Sequence, residues 1–176
     1  MKKIAKNFIA FIQLEMIVND PQKVNSLRES YFVNPKDIIE STAKQCAAEF
    51  NRVDDLALEL EDAVFRMSEG YLKKLSSEII YNAFKFSEKG SSVVVSILSN
   101  DTSTMFSITD NGKGMTQEQI SSIGAFMQFN RKIHDQQGSG LGLIIAKRIT
   151  ELHGGELNII SSLDEGTKVN IIFENQ

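Results

Sequence analysis

Several residue types are scarce in this 176-residue chain, and each scarcity excludes something. Cys46 is the one cysteine, so no internal disulfide can form, and no Cys/His cluster has zinc spacing. No apolar run approaches the ~20 residues needed to span a bilayer. The opening Met1-Lys2-Lys3-Ile4-Ala5-Lys6-Asn7-Phe8 is basic, but Gln13 and Glu15 interrupt the apolar residues that follow. It has neither the hydrophobic stretch nor the small-residue cleavage site of a secretory leader. An excess of positive charge is also missing. Nineteen Lys and Arg against 23 Asp and Glu give 19 − 23 = −4, which argues against a general binder of phosphate backbones. No internal repeat or low-complexity tract is present. These absences lead to the expectation of a soluble, cytoplasmic protein without nucleic-acid or direct membrane contact.

What is present is ordinary globular material: 41% hydrophobic and 24% charged residues, enough for one domain with a short appendage. Ile4, Phe8, Phe11, Ile12, Leu14 and Ile17 fall largely on one helical stripe, which Asn19-Asp20-Pro21 ends. This stripe offers a contact for a second copy of the chain. Residues 21–34 read as a polar linker with a short helix around Val24–Glu29. Asn34-Pro35-Lys36-Asp37 starts a helix, with Asn as N-cap and Pro in the first turn; Cys46 falls on its buried stripe. Residues 56–61 alternate like a strand. Ser68 caps a long helix running to about Phe86. Ser91–Ser99 and Thr102–Thr109 form a hairpin about Asn100-Asp101. A short helix falls near Gln117–Ile123, and residues 124–139 lack periodicity. Leu141–Leu152 is a helix closed by Gly154-Gly155, and Glu156–Ser161 and Thr167–Phe173 are closing strands. Because the strands come in hairpins, the expected fold is α+β: a two-layer sandwich of a mixed, mostly antiparallel sheet with helices on one face.

Three constellations carry chemistry. Glu78, Asn82 and Lys85 share one face of the long helix, as a functional trio or as a solvated Glu–Lys surface. Asp110-Asn111-Gly112-Lys113-Gly114 follows a strand, as a ligand-facing carboxylate with glycines for close approach, or as a plain turn. It is not a calcium loop, because Gly112 and Ser121 stand where ligands belong. Gly138-Ser139-Gly140-Leu141-Gly142-Leu143 opens a helix, where backbone N–H groups can hold phosphate. It is neither a Walker A loop nor the Rossmann fingerprint.

In order and spacing these motifs, with Phe126-Met127-Gln128-Phe129 and Gly166-Thr167 between and after them, resemble the GHKL (Bergerat-fold) ATPases. Within these they are most similar to the catalytic ATP-binding domain of sensor histidine kinases, over roughly residues 36–174. The resemblance implies ATP and Mg²⁺ as cofactors and a nucleotide lid at 124–139 that orders on binding. It makes Asn82 the Mg²⁺ ligand, Glu78 the acid that orients water or acts as base, and Lys85 a cation near the phosphates. Asp110 would accept from the adenine amine, which disfavours guanine, and Gly112 and Gly114 would give the nucleotide room. Phe126 and Phe129 would anchor the lid and Arg131 supply its basic residue. Gly138, Ser139, Gly140, Leu141 and Gly142 would cradle phosphate, and Thr167 would back Asp110 through water. Gln128 departs from the usual Pro, Ser139 from the commoner Thr, and Ser68 from the commoner Asp.

The resemblance also implies an acceptor histidine on an upstream dimerisation helix. Neither histidine here is so placed: His134 falls in the lid and His153 at a helix end, well placed against its dipole. The expected organisation is therefore a dimerisation-helix tail at 1–20, a linker at 21–34 and the catalytic domain at 35–176. The implied partners are the parent kinase's phosphoacceptor histidine domain and a downstream response regulator in two-component signal transduction. Little activity is expected from the chain alone. The alternatives are an anti-sigma-type serine kinase of the same fold, against which Leu141-Gly142-Leu143 and the N-terminal helix weigh, or a non-catalytic nucleotide-binding interaction module.

Overall fold

The structure is a computed structural model and describes residues 2–30, 33–125 and 141–175. Five strands form one mixed sheet: β1 (Leu56–Leu60), β2 (Val93–Ser99), β3 (Ser103–Asp110), β4 (Glu156–Ser162) and β5 (Gly166–Glu174), ordered β1-β2-β3-β5-β4. β1 and β2 are parallel, joined by the crossover helix α4 (Glu69–Phe86), and the other pairs are antiparallel. The β-branched run Val93-Val94-Val95 suits a strand covered on one face.

Period-two alternation assigns the two faces. Val93, Val95 and Ile97 of β2 pair with Asp110, Ile108 and Phe106 of β3, and Phe106 and Ile108 pair in turn with Ile171 and Val169 of β5. All are buried, and all but Asp110 form one apolar face. The helices cover it: α3 (Pro35–Glu49), α4 and α6 (Leu141–Leu152) lie side by side, with α1 (Lys2–Val18) against α6. The expected α+β arrangement is therefore observed. Asp110 ends the buried row and so faces the helical layer.

Local chemistry sets the element ends. Asn34 accepts from the Lys36 N–H with Pro35 in the first turn of α3, and Ser68 caps α4 by accepting from the Tyr71 N–H. Asn100 Oδ1 accepts from the Thr102 and Ser103 N–H groups and folds the β2–β3 hairpin. The stretch expected as a polar linker holds a longer helix than its composition suggests, α2 (Pro21–Ser30). Asp20 accepts from the Lys23 N–H at its start, so Asp20-Pro21 ends one helix and opens the next. Arg28 of α2 donates to the Leu152 and Glu151 carbonyls at the end of α6. Cys46 is buried and outside any disulfide.

His153 is buried rather than held as a cation against the α6 dipole. Nδ1 lies 2.7 Å from the Ile149 carbonyl, the ring meets Tyr71 edge-on, and Nε2 has no hydrogen-bond partner among the described residues. Burial first, and the nearby Arg28 charge, pull its pKa below the usual histidine value, against the Ile149 hydrogen bond. The neutral form therefore belongs to the folded state. Its stabilisation is complete above about pH 6.5 and is lost as pH falls through the depressed folded pKa. Denaturation midpoints followed from pH 7 to pH 4 should fall less steeply for His153→Gln than for wild type.

Arg52 is a second structural knot. Its buried guanidinium pairs with Asp55 at 2.6 Å and donates to the carbonyls of Phe84, Ser87 and Ser91. The end of α4 is thereby fixed to the segment leading into β2. Arg52→Ala leaves these carbonyls without their donor and should cost about 3 kcal/mol. Arg52→Lys should recover little of it, because one ammonium cannot reproduce the planar fork. Urea unfolding of both variants measures this.

Candidate functional site

α4 is amphipathic in an unusual way. Leu72, Leu75, Ile79, Ile80, Ala83 and Phe84 bury its apolar sides, and Glu78 is buried with them at 4% exposure. The solvated-surface reading therefore fails for Glu78. It faces the start of α6: a Cβ on Gly142 would stand 2.8 Å from Glu78 Oε2 and 3.4 Å from Asn82 Nδ2. Glycine at 142 thus lets the first turn of α6 approach both side chains, which sit one turn apart on α4. Asn82 is half-buried and makes no side-chain hydrogen bond to any described residue.

A buried carboxylate needs partners, and sequence reasoning missed both of those found here. Lys74 Nζ contacts Glu78 Oε1 at 2.6 Å from one turn earlier on α4. Asn7 of α1 donates from Nδ2 to Glu78 Oε2 at 3.1 Å and accepts from Lys74 at 2.8 Å. The i, i+4 spacing of Lys74 and Glu78 was a readable signal. Asn7, a polar residue inside an apolar helix, was a weaker one. Lys85 lies toward the end of α4 with its ammonium 4.8 Å from the Phe86 ring centroid.

The second cluster is built by strand register. Asp110 and Thr167 are paired residues of β3 and β5. Asp110 Oδ1 accepts from the Gly112 N–H at 2.9 Å. Burial pushes the Asp110 carboxyl above its ordinary value, opposed by the backbone N–H groups of Gly112 and Thr167 and by the Arg52 charge. The glycines do more than leave room for a ligand. A Cβ on Gly112 would overlap the Phe86 carbonyl, and one on Gly114, at φ 62°, would overlap the Ser162 carbonyl. The Lys113 N–H donates to Phe86 O, so this loop is tied to the end of α4. Ser161, not anticipated, links the loop to the sheet. Its Oγ accepts from the Met115 N–H, donates to Gly166 O and lies 2.9 Å from Thr167 Oγ1.

Glu78, Asn82 and Gly142 are thus brought together, as are Asp110, Gly112, Gly114 and Thr167. Leu141 is buried at the start of α6. Phe126, Gln128, Phe129, Arg131, His134, Gly138, Ser139 and Gly140 lie outside the described residues, whereas residues 124 and 125 end α5 (Gln117–Ala125). Among the described residues no group of three or more His, Cys, Asp or Glu could hold a metal ion. A lone amide oxygen such as that of Asn82 suits Mg²⁺ brought in with phosphate, because that ion usually keeps most of its ligands from phosphate and water. No helix among the described residues is long and apolar enough to cross a membrane.

Residues 67–176, more than half of the chain, match the family of histidine kinase-, DNA gyrase B-, and HSP90-like ATPases, and the chain belongs to that family. Sensor histidine kinases are among the proteins it is similar to. The chain is 29% identical over 144 residues to the sensor histidine kinase YvrG of Bacillus subtilis, covering 80% of this chain and 24% of that protein. It is 29% identical over 167 residues to the histidine-protein kinase ArlS of Staphylococcus aureus, covering 91% and 36%. The chain thus spans about a quarter to a third of the length of these relatives. Two solved structures share the fold. The mycobacterial sensor histidine kinase MprB has TM-score 0.67 at 24% identity, over 82% of this chain and 97% of that one. The Acinetobacter baumannii histidine kinase AdeS has TM-score 0.69 at 15% identity, over 95% and 76%. The matched region is the ATP-binding catalytic domain of the histidine-kinase type.

Because its folded pKa is raised, ionised Asp110 works against the fold above that pKa, and the penalty disappears as pH falls below the unfolded value. Asp110→Asn removes the charge while keeping an oxygen for the Gly112 N–H. Its urea midpoint at pH 7 should equal or exceed that of wild type. A lower midpoint would show that the hydrogen bonds to the charged form outweigh its burial.

Proposed function

We propose that this chain is the catalytic part of a longer two-component sensor histidine kinase acting in the cytoplasm. It would present the γ-phosphoryl group of Mg-ATP to a histidine carried on a dimerisation helix. The observation that carries this reading is the placement of buried Glu78 and half-buried Asn82 against Gly142 in the first turn of α6. A helix start supplies N–H groups and a positive dipole end for phosphate. A carboxylate and an amide oxygen beside it are the groups that phosphoryl transfer uses for proton and metal handling.

In this reading Asn82 gives its side-chain oxygen to the metal, and bound Mg²⁺ neutralises the phosphate oxygens. Glu78 orients the attacking group or takes its proton, and Lys85 adds positive charge near the phosphates. Asp110 accepts from the exocyclic amine of adenine, held in place by the Gly112 and Thr167 N–H groups, with the Thr167 side chain backing it through water. Gly114 closes the loop beneath it. Gly138, Ser139, Gly140, Leu141 and Gly142 cradle phosphate, with Phe126, Phe129 and Arg131 in the lid. The organisation that goes with this is α1 as the tail of a dimerisation domain, 21–34 as the linker carrying α2, and 35–176 as the catalytic domain. The partners are a phosphoacceptor histidine domain, a response regulator, and a second copy of the chain through residues 4–18.

Calorimetric titration tests the site. Wild type should bind Mg-ATP and not Mg-GTP, whose O6 would face the Asp110 carboxylate. Asp110→Asn should weaken Mg-ATP binding by roughly ten- to a hundred-fold, the worth of a hydrogen bond to a charged group. Asn82→Ala should abolish the magnesium dependence. Absence of binding by folded wild type would refute the nucleotide reading. Acid-stable phosphate transferred to a partner would identify a serine acceptor instead of histidine.

A further inference from the structure

α1 is held to the catalytic layer in a way that bears on Glu78. Both carboxylate oxygens of Glu78 are engaged, Oε1 by Lys74 and Oε2 by Asn7, and Asn7 is itself only 4% exposed. Two turns further along α1, Glu15 contacts Arg148 of α6 at 2.7 Å, and Arg148 also contacts Glu151. Beyond the Asn19-Asp20 corner, Arg28 of α2 is fixed to the carbonyls that end α6. The helical hairpin is therefore anchored at its α2 end and reaches over the start of α6 at its α1 end.

In the docked pose α1 packs one short apolar stripe, Ala10, Phe11, Leu14 and Ile17, on the core and leaves a second apolar side outward. It turns Asn7 inward and leaves Ile4 (53% exposed), Phe8 (55%), Ile12 (43%) and Met16 (68%) outward. Of its apolar residues only Leu14 is fully buried, with Ala10, Phe11 and Ile17 partly so. A helix docked through few apolar contacts and two polar clusters belongs to the low-stability end of a structure. A buried Asn–Glu–Lys cluster, unlike an apolar seam, can open and find water for each of its members.

We propose that α1 is a displaceable strap that masks Glu78, so that detachment of α1 controls when this carboxylate becomes accessible. The inference rests on the reading of Glu78 as the carboxylate that serves phosphoryl transfer. In the docked state Asn7 takes up Oε2 of Glu78 while Lys74 takes up Oε1, so neither oxygen is open to an incoming group. In the released state Glu78 keeps Lys74 and gains an open Oε2.

The test uses the full chain and changes the latch away from the site. Glu15→Ala and Arg148→Ala remove the α1–α6 ion pair without touching Asn7, Lys74 or Glu78, and the charge swap Glu15→Arg with Arg148→Glu rebuilds it. Backbone hydrogen–deuterium exchange over residues 4–18 reads α1 docking. Carbodiimide-dependent amide formation at Glu78, with added glycinamide or with Lys74, reads accessibility by mass spectrometry. Both single variants should speed α1 exchange and raise Glu78 modification several-fold, and the swap should return both toward wild type. Faster α1 exchange with unchanged Glu78 modification would overturn the proposal, since α6 and Lys74 would then suffice to bury Glu78. Wild-type α1 exchange as slow as that of α4 would overturn it equally. Mg-ATP titration of the same samples separates the underlying reading. Absence of nucleotide binding refutes the role given to Glu78, whereas intact binding with unchanged modification refutes only the strap.

Discussion

The burial of a carboxylate on the central helix is the constraint around which the helical layer is arranged. Glu78 sits among Leu75, Ile79 and Ile80 in the core of the domain, where an unpaired charge would cost several kcal/mol. It is tolerated because three elements converge on it. α4 supplies Lys74, α1 supplies Asn7, and α6 comes close enough to exclude water because position 142 lacks a side chain. The same convergence aims the start of α6 at Asn82. Packing that satisfies one buried charge thereby assembles a helix N-terminus, an amide and a carboxylate in one place.

The other half of the site is fixed by the sheet. Asp110 is positioned by pairing along β3 and β5, which brings it opposite Thr167 at the end of an apolar row. The loop after it is locked on two sides, by the Phe86 carbonyl at the end of α4 and by the β4–β5 turn against Gly114 and Ser161. Arg52 anchors that same end of α4. The α4–loop contact therefore couples the two clusters through backbone, so the spacing between the carboxylates does not depend on flexible side chains.

Much of this was legible in the sequence because it is written in local chemistry. The caps Asn34 and Ser68, the alternation of residues 56–61 and the Asn100 turn each specify an element with no help from distant residues, and the elements appear where these signals put them. The face shared by Glu78 and Asn82 follows from helical spacing alone. What spacing cannot give is depth. A Glu with a Lys four residues before it reads equally well as a surface pair, and only the packing of α1 and α6 turns it into a buried cluster. Asn7 belongs to a contact 71 residues distant in sequence, with no local signature. His153 is structural, as its place at a helix end suggests, but through burial against Tyr71 and beside Arg28 rather than through the helix dipole, and that depth has no local signature. The length of α2 was underestimated because its stability comes from Arg28 docking on α6 rather than from its polar sequence.

The two site carboxylates differ in readiness, and the difference follows from their partners. Asp110 is met by backbone N–H groups that do not balance its burial, so its carboxyl is pushed toward the neutral form. A ligand donor arriving there relieves an existing cost, and binding is favoured without rearrangement of the protein. Glu78 is matched on both oxygens by a cation and an amide, so a group arriving there must first displace something. On the proposed reading, such a domain would hold a nucleotide by its base at Asp110 while Glu78 stays engaged by Lys74 and Asn7. On that reading, nucleotide capture at Asp110 and release of Glu78 would be separate events, because Asn7 of α1 holds Glu78 while Asp110 is held by its own loop.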